Sequence, residues 1–310
     1  MEFPVWIVLA GLPSLLYAIS NHIDKHLLET HFSNRLGPIS LLVVSALISV
    51  VALPFIWIWS PTSLAPEIWS HLFLFALVGL LHTALLWCYL TALSLEDTTT
   101  IVIFYAMLPI LGLAASNLLL GESLLPMQVV AMFVTILAIL LISVERTGDT
   151  LRVKTRAAAL MFGASLCWAL GDVAFKFVAL EESLHRALFW EHLILFCVGC
   201  IVLLIAPTVR QDLVSVTKQN TVKILSINLT SECLYILGNV VSAIPLLLVQ
   251  VAAVHLVQTL QPVWVFLIGV LLWKVGYAEE RMTMAQLLQK SIATLMAVAG
   301  MFLLTFYTPS

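Results

Sequence analysis

Charge is what this sequence has least of: Asp, Glu, Lys and Arg make up 10% of 310 residues, against about 25% in an ordinary soluble domain. That scarcity excludes a soluble fold of this size, whose surface must be largely polar. No Gly-rich phosphate loop and no polar domain interrupts the chain, so no soluble appendage is expected. Gly-x-Ser-x-Gly, an Asp-rich motif and His-rich ligand spacing are all missing. An integral-membrane enzyme would need such a nucleophile–base pair or metal cluster, and the reading is therefore of a protein without catalysis, metal or cofactor. The five cysteines (Cys88, Cys167, Cys197, Cys200 and Cys233) all lie in apolar segments. Cys197 and Cys200 have the spacing of a metal or redox pair but neither a second pair nor polar ligands beside them, which reads as packing. A net charge of −3 offers nothing to nucleic acid.

What is present is apolar: 62% of positions. A bilayer-spanning helix needs about 20 such residues, and apolar runs between polar breaks predict ten spans. They cover roughly 4–22, 37–59, 67–94, 99–120, 124–144, 157–178, 187–207, 221–244, 250–273 and 284–307. The first lacks a basic stretch before it and a small-residue cleavage site after it, so it reads as a retained span. Connections are mostly short, which makes consecutive helices antiparallel neighbours. The longest, 143–156, falls near the midpoint.

That midpoint loop divides a repeat. Residues 14–25, SLLYAISNHIDK, align with residues 165–176, SLCWALGDVAFK. Ser14, Leu15, Ala18 and Lys25 meet identical residues at Ser165, Leu166, Ala169 and Lys176, while Tyr17 meets Trp168 and Asn21 meets Asp172. A second match sets Pro109 opposite Pro262, then Glu122 opposite Glu280 after an insertion. The expected fold is all-α, a polytopic membrane protein with ten transmembrane helices in two inverted five-helix repeats, 1–145 and 157–310. Five spans per repeat invert the second half, an arrangement that puts a solute site near the midplane and supports alternating access.

In these residues the chain resembles the drug/metabolite transporter superfamily, in its ten-helix EamA-like branch. The resemblance rests on the five-plus-five layout and on aromatic-x-x-x-Asn/Asp-x-x-x-Lys at Tyr17–Asn21–Lys25 and Trp168–Asp172–Lys176. The prolines of spans four and nine, each followed by an apolar run and Gly-Glu or Glu-Glu-Arg, add to it. It implies a central cavity lined by spans one, three, four, six, eight and nine, with spans five and ten peripheral. It also implies transport of amino acids, drugs, sugars or other small metabolites, often outward, and both termini in the cytoplasm.

Polar groups within a bilayer are expensive and ask for a reason. Asn228, Glu232, Tyr235, Asn239 and Ser242 share one stripe of span eight, because spacings of three and four return to the same helix face. Span three carries His82 at nearly the depth of Glu232. Spans one and six offer Ser14, Tyr17, Asn21 and Ser165, Trp168, Asp172; span four offers Tyr105 before Pro109; span nine offers His255, Gln258 and Gln261. The solute-binding residues expected from these stripes are Tyr17, Asn21, His82, Tyr105, Trp168, Asp172, Glu232, Asn239, His255 and Gln258. A carboxyl at mid-membrane can load and release a proton, so Glu232 is the expected proton carrier, with Asp172 or His82 second. Asp172 and Lys176 are spaced for an intrahelical ion pair, Glu191 and His192 read as interfacial, and Lys25 and Lys176 as snorkelling. Ala293, Ala297 and Gly300 form a small-residue face suited to a homodimer contact.

These readings describe a secondary active exporter of a small organic solute in the inner cell membrane, its partners the solute and the lipid bilayer. The alternatives are a sugar-phosphate or nucleotide-sugar exchanger, which needs cavity cations, and a membrane enzyme. Orientation sets the sequence against the resemblance. Twelve of fourteen Lys and Arg flank the loops after spans one, five, seven and nine, leaving Lys176 and Arg186 opposite. Basic residues resist translocation, so the basic face is expected in the cytoplasm and both termini outside.

Overall fold

A computed structural model of the chain describes residues 5–59, 64–120, 130, 133–134, 137–138, 141, 144–147, 150–276 and 284–305. In a bilayer the backbone must satisfy its own hydrogen bonds, so long apolar runs become helices. Eight helices among the described residues are long and apolar enough to cross a membrane. They are α1 (Val5–Thr30), α2 (Gly37–Trp59), α3 (His71–Leu93), α4 (Thr98–Leu119), α5 (Thr155–Glu181), α6 (Leu184–Ile205), α7 (Pro207–Leu248) and α8 (Val251–Lys274). A further helix, α9 (Met284–Thr305), follows. Expected span five falls mostly outside the described residues.

Local chemistry sets the helix ends. The Asp97 carboxylate accepts from the Thr100 N–H at the start of α4, and the Ser183 hydroxyl accepts from the Arg186 N–H at the start of α6; both satisfy donors with no intrahelical partner. Pro207 opens α7, where a missing N–H costs nothing. Gly276 follows α8 at φ 73°, the left-handed conformation glycine adopts most cheaply after a helix.

Two boundaries differ from the sequence reading. Apolar runs put residues 23–30 and 208–220 beyond the spans, yet α1 runs on to Thr30 and α7 begins at Pro207. Such runs report where a helix is in lipid, not where it stops. The polar start of α7 keeps Val209 and Leu213 buried, and its Asp212 carboxylate accepts from Asn34 Nδ2 at 2.6 Å and Ser40 Oγ at 2.5 Å. Within this all-α fold, two short strands before α5, β1 (Val144–Thr147) and β2 (Thr150–Val153), pair antiparallel, Val144 opposite Val153.

Side-chain bonds sort the helix ends onto two faces. At the basic face, Lys25 Nζ donates to the Leu93 and Glu96 carbonyls, Lys154 pairs with Glu96 at 3.1 Å, and Lys290 pairs with Asp97 at 2.9 Å. On the opposite face, Glu182 accepts from the N–H groups of Glu67 and Ile68, from His71 and from Arg186. Burial would raise the Glu182 pKa, but these donors outweigh it and hold the carboxyl below its ordinary range. The helices cross between these faces, α1 packing along α7, α5 along α3, and α4 against α8. Ala293 and Gly300, two of the small residues on α9, are buried in the chain itself.

Candidate functional site

Both prolines mark breaks in mid-membrane helices. Within α4, the stretch Phe104–Met107 tightens to a 3-10 turn before helix resumes at Leu108 and Pro109. Within α8, helix stops at Gln258, turns at Thr259 and Leu260, and resumes at Gln261 and Pro262. Proline has no N–H to give the preceding turn, so each helix is interrupted where it meets the core of the bundle. Tyr105 sits in one interruption and Gln261 opens the far side of the other.

Around these breaks lie two adjacent cavities. The first, toward the opposite face, is lined among others by His82, Trp168, Asp172, Glu191, Tyr235 and Asn239. The second, toward the basic face, is lined by Tyr17, Asn21, Asp24, Tyr89, Tyr105, Glu232 and Gln261, sharing His82, Trp168 and Tyr235 with the first. Trp168 and Tyr235 line both cavities, and Tyr17 and Tyr105 pack on them from the second. Tyr17 contacts Trp168 and Tyr235 with centroids 5.7 and 5.2 Å apart, and Tyr105 meets Trp168 edge-on at 5.1 Å. The two pairs with Trp168 are T-shaped, setting the positive edge of one ring against the face of another, whereas Tyr17 and Tyr235 are tilted at 37°.

Each cavity has its own hydrogen-bond network. In the second, Gln261 Nε2 donates to Asn21 Oδ1 at 2.7 Å, and Asn21 Nδ2 to the Tyr89 hydroxyl at 2.6 Å. Tyr89 donates to Asp24 Oδ2 at 3.2 Å, Ser231 to Asp24 Oδ1 at 2.7 Å, and Ser20 lies 2.8 Å from Ser231. Four helices, α1, α3, α7 and α8, are thereby joined. In the first, His82 Nδ1 donates to Glu191 at 2.7 Å, Asn239 Nδ2 reaches the same carboxylate oxygen at 3.2 Å, and the Tyr235 hydroxyl is 3.1 Å from His82 Nε2. His255 Nε2 donates to Asp172 at 2.7 Å, while Lys176 Nζ reaches the Val249 carbonyl at 2.8 Å.

Eight of the ten residues expected at a solute site line these cavities: Tyr17, Asn21, His82, Tyr105, Trp168, Asp172, Glu232 and Asn239. His255 and Gln258 line neither. His255 backs Asp172 from outside the cavity, and the Gln258 side-chain amide is buried without a partner. One reading is corrected: Glu191 and His192 are buried, not interfacial. Because α6 begins at Leu184, Glu191 lies two turns inside. Sequence reasoning also passed over Asp24 and Tyr89. Asp24 continues the Ser14, Tyr17, Asn21 spacing and is lost by ending the first span at 22; Tyr89 lies two turns beyond His82 on α3. Both signals are legible.

Two glycines admit this geometry. A Cβ on Gly238 would lie 2.6 Å from Tyr17 Cε1, and one on Gly112 would collide with His255 Nδ1.

Comparison with known proteins gives a family match over less than half of the chain. Residues 4–144 match the family model described as EamA-like transporter family. No curated protein matches the sequence. A solved structure described as "Crystal structure of protein" is similar in fold, with a TM-score of 0.56 and 15% identity over 96% of this chain and 96% of that one.

Proposed function

From the match of residues 4–144 to the EamA-like transporter family, we propose that this multi-pass membrane transporter is a secondary active exporter of a small organic solute. It works by alternating access across the ring cluster. The observation that carries the reading is the pair of polar cavities that meet at His82, Trp168 and Tyr235, with Tyr17 and Tyr105 packed on Trp168 from one side. One cavity serves each side, and the ring cluster is the element that must part for a solute to pass. Tyr17, Asn21, His82, Tyr105, Trp168, Asp172, Glu232 and Asn239 contact the solute. His255 acts through Asp172, and Gln258 lies behind the cavity wall. Protons drive export, with Glu232 the carrier and Asp172 or His82 assisting.

The chain forms ten spans in inverted repeats, 1–145 and 157–310. The packing supports this reading pair by pair. The α1–α7 contact has its counterpart in α5–α3, α1–α8 in α5–α4, and α3–α6 in α7–α2, while α2–α6 and α4–α8 are their own counterparts. An anion exchanger is disfavoured because both cavities carry carboxylates and, among the described residues, neither is lined by Lys or Arg. The protein sits in the inner cell membrane, its basic face cytoplasmic.

Purified protein in vesicles with an imposed pH gradient, screened against mixed labelled metabolites, tests the proposal. Gradient-dependent accumulation of at least one solute is expected. Passive equilibration no faster than protein-free vesicles, for every solute, would overturn it.

A further inference from the structure

At the basic face, a third cavity of about 780 Å³ opens among the end of α1, the turn into α2, the end of α3 and the start of α5. It shares no lining residue with the two central cavities. Three cations line it, Lys25, Arg35 and Arg156, against one carboxylate, Glu29. Lys25 already holds Glu29 at 3.2 Å and donates to the Leu93 and Glu96 carbonyls. Arg35 and Arg156 are exposed, and neither has a carboxylate partner among the described residues. Lys154 and Lys290 on the same face differ, since each meets one, Glu96 and Asp97.

Their positions add to the excess of positive charge. Arg35 stands just before α2 begins at Gly37, and Arg156 is the second residue of α5. A helix start is the positive end of its dipole and carries N–H groups without an intrahelical acceptor, so it favours an anion. Each of these starts brings a cation instead, and no side chain caps either one. Asp212 approaches the start of α2, but its oxygens accept from Asn34 and Ser40 and it does not line the cavity. Two arginines and two helix starts therefore converge on one space, the chemistry that receives a phosphate. The rest of the wall is partly apolar, with Leu28, Phe32 and Leu95 contributing, and Leu95 is 39% exposed. A free anion would leave that side of the cavity without a role. The helix ends that form it also stand at the depth of lipid headgroups, where basic pockets between spans take acidic lipids.

We infer that this cavity binds the headgroup of an anionic phospholipid, its phosphate between Arg35 and Arg156 and its acyl chains leaving past Leu95. The lipid then joins the α1–α2 turn to the start of α5. Nothing in this inference depends on the transport reading.

Binding of fluorescently labelled phosphatidylglycerol to the full-length protein in neutral detergent tests it. The competitors are phosphatidylglycerol and phosphatidylcholine with matched acyl chains, and inorganic phosphate as the free-anion arm. Phosphatidylglycerol should displace the probe at least about tenfold more effectively than phosphatidylcholine, and inorganic phosphate should not displace it. Arg35→Gln and Arg156→Gln should each weaken binding by about tenfold, equivalent to about 1.4 kcal/mol. Lys218→Gln, on a separate basic patch near the start of α7, should bind as wild type. Equal affinity for the two lipids, displacement by phosphate alone, wild-type affinity in both arginine variants, or an equal loss in Lys218→Gln overturns the inference. A photoactivatable phosphatidylglycerol on the unsubstituted protein decides the matter even if a variant fails to fold. Crosslinks within residues 25–38 or 91–95 are expected, and crosslinks confined to other segments would defeat the assignment.

Discussion

Glu232 and Asp24 reach one cavity from different helices, and the sequence marks Glu232 more plainly than Asp24. Glu232 stands in the middle of an apolar run, where a carboxylate is conspicuous. Asp24 sits where the run has given way to Lys25, His26 and Glu29, and reads as the start of a loop. Glu191 is visible too, but a boundary error of three residues puts it at the wrong depth. If Glu232 carries the proton, Glu232→Gln should abolish accumulation driven by a pH gradient while leaving solute counterflow partly intact. A mutant that still concentrates solute as well as wild type sinks that role. Gly238→Ala tests the packing of the ring cluster. Its Cβ would press on the Tyr17 ring at 2.6 Å, and overpacking of this kind costs about 1–3 kcal/mol. A lowered melting temperature in detergent with reduced transport is expected; an unchanged melting temperature would show that the ring has room to yield.

At the scale of elements, the polar start of α7 is the clearest addition to the sequence reading. It continues the helix through residues 208–220, held by the bonds of Asp212 to Asn34 and Ser40. Amide hydrogen exchange should find this stretch protected, and Asp212→Ala should speed exchange there by removing bonds worth about 1.5–3 kcal/mol each when one partner is charged. Rapid exchange in the unsubstituted protein would contradict the helix. The start of α4 makes a prediction in pH. Burial alone would raise the Asp97 pKa, but Lys290, the Thr99 hydroxyl and the Thr100 N–H outweigh it and hold the carboxyl at about 2. A carboxyl depressed on folding stabilises above its unfolded pKa of about 3.9 and loses that contribution as pH falls through the folded value. Acid unfolding followed between about pH 4 and 2 should therefore weaken in Asp97→Asn relative to wild type; identical acid profiles would remove Asp97 from the account.

For the whole molecule, orientation sets charge against the family resemblance. Twelve basic residues against two favour a cytoplasmic basic face, and the structure gathers Lys25, Lys154 and Lys290 at that face through their bonds to Leu93, Glu96 and Asp97. A reporter fused to the C-terminus decides it. Activity from a periplasm-only phosphatase is expected, and fluorescence from a cytoplasm-only tag with no phosphatase activity would place both termini in the cytoplasm, as the family resemblance implies.

By itself the sequence determined that the chain crosses a membrane repeatedly as helices, because no soluble surface can be made from so little charge and a bilayer accepts no unpaired backbone. It determined the stripes of Tyr17–Asn21 and Glu232–Asn239 too, since helical spacing puts such residues on one face. Only the tertiary structure decided which stripes meet. Asp172 could bond within its own helix or across to His255, and spacing is silent on a partner 83 positions away. The same holds for His82 with Glu191 and Asn21 with Gln261. Periodicity fixes a side chain's direction about its own helix axis; the identity of what it faces depends on how separate helices pack, through contacts distant in sequence.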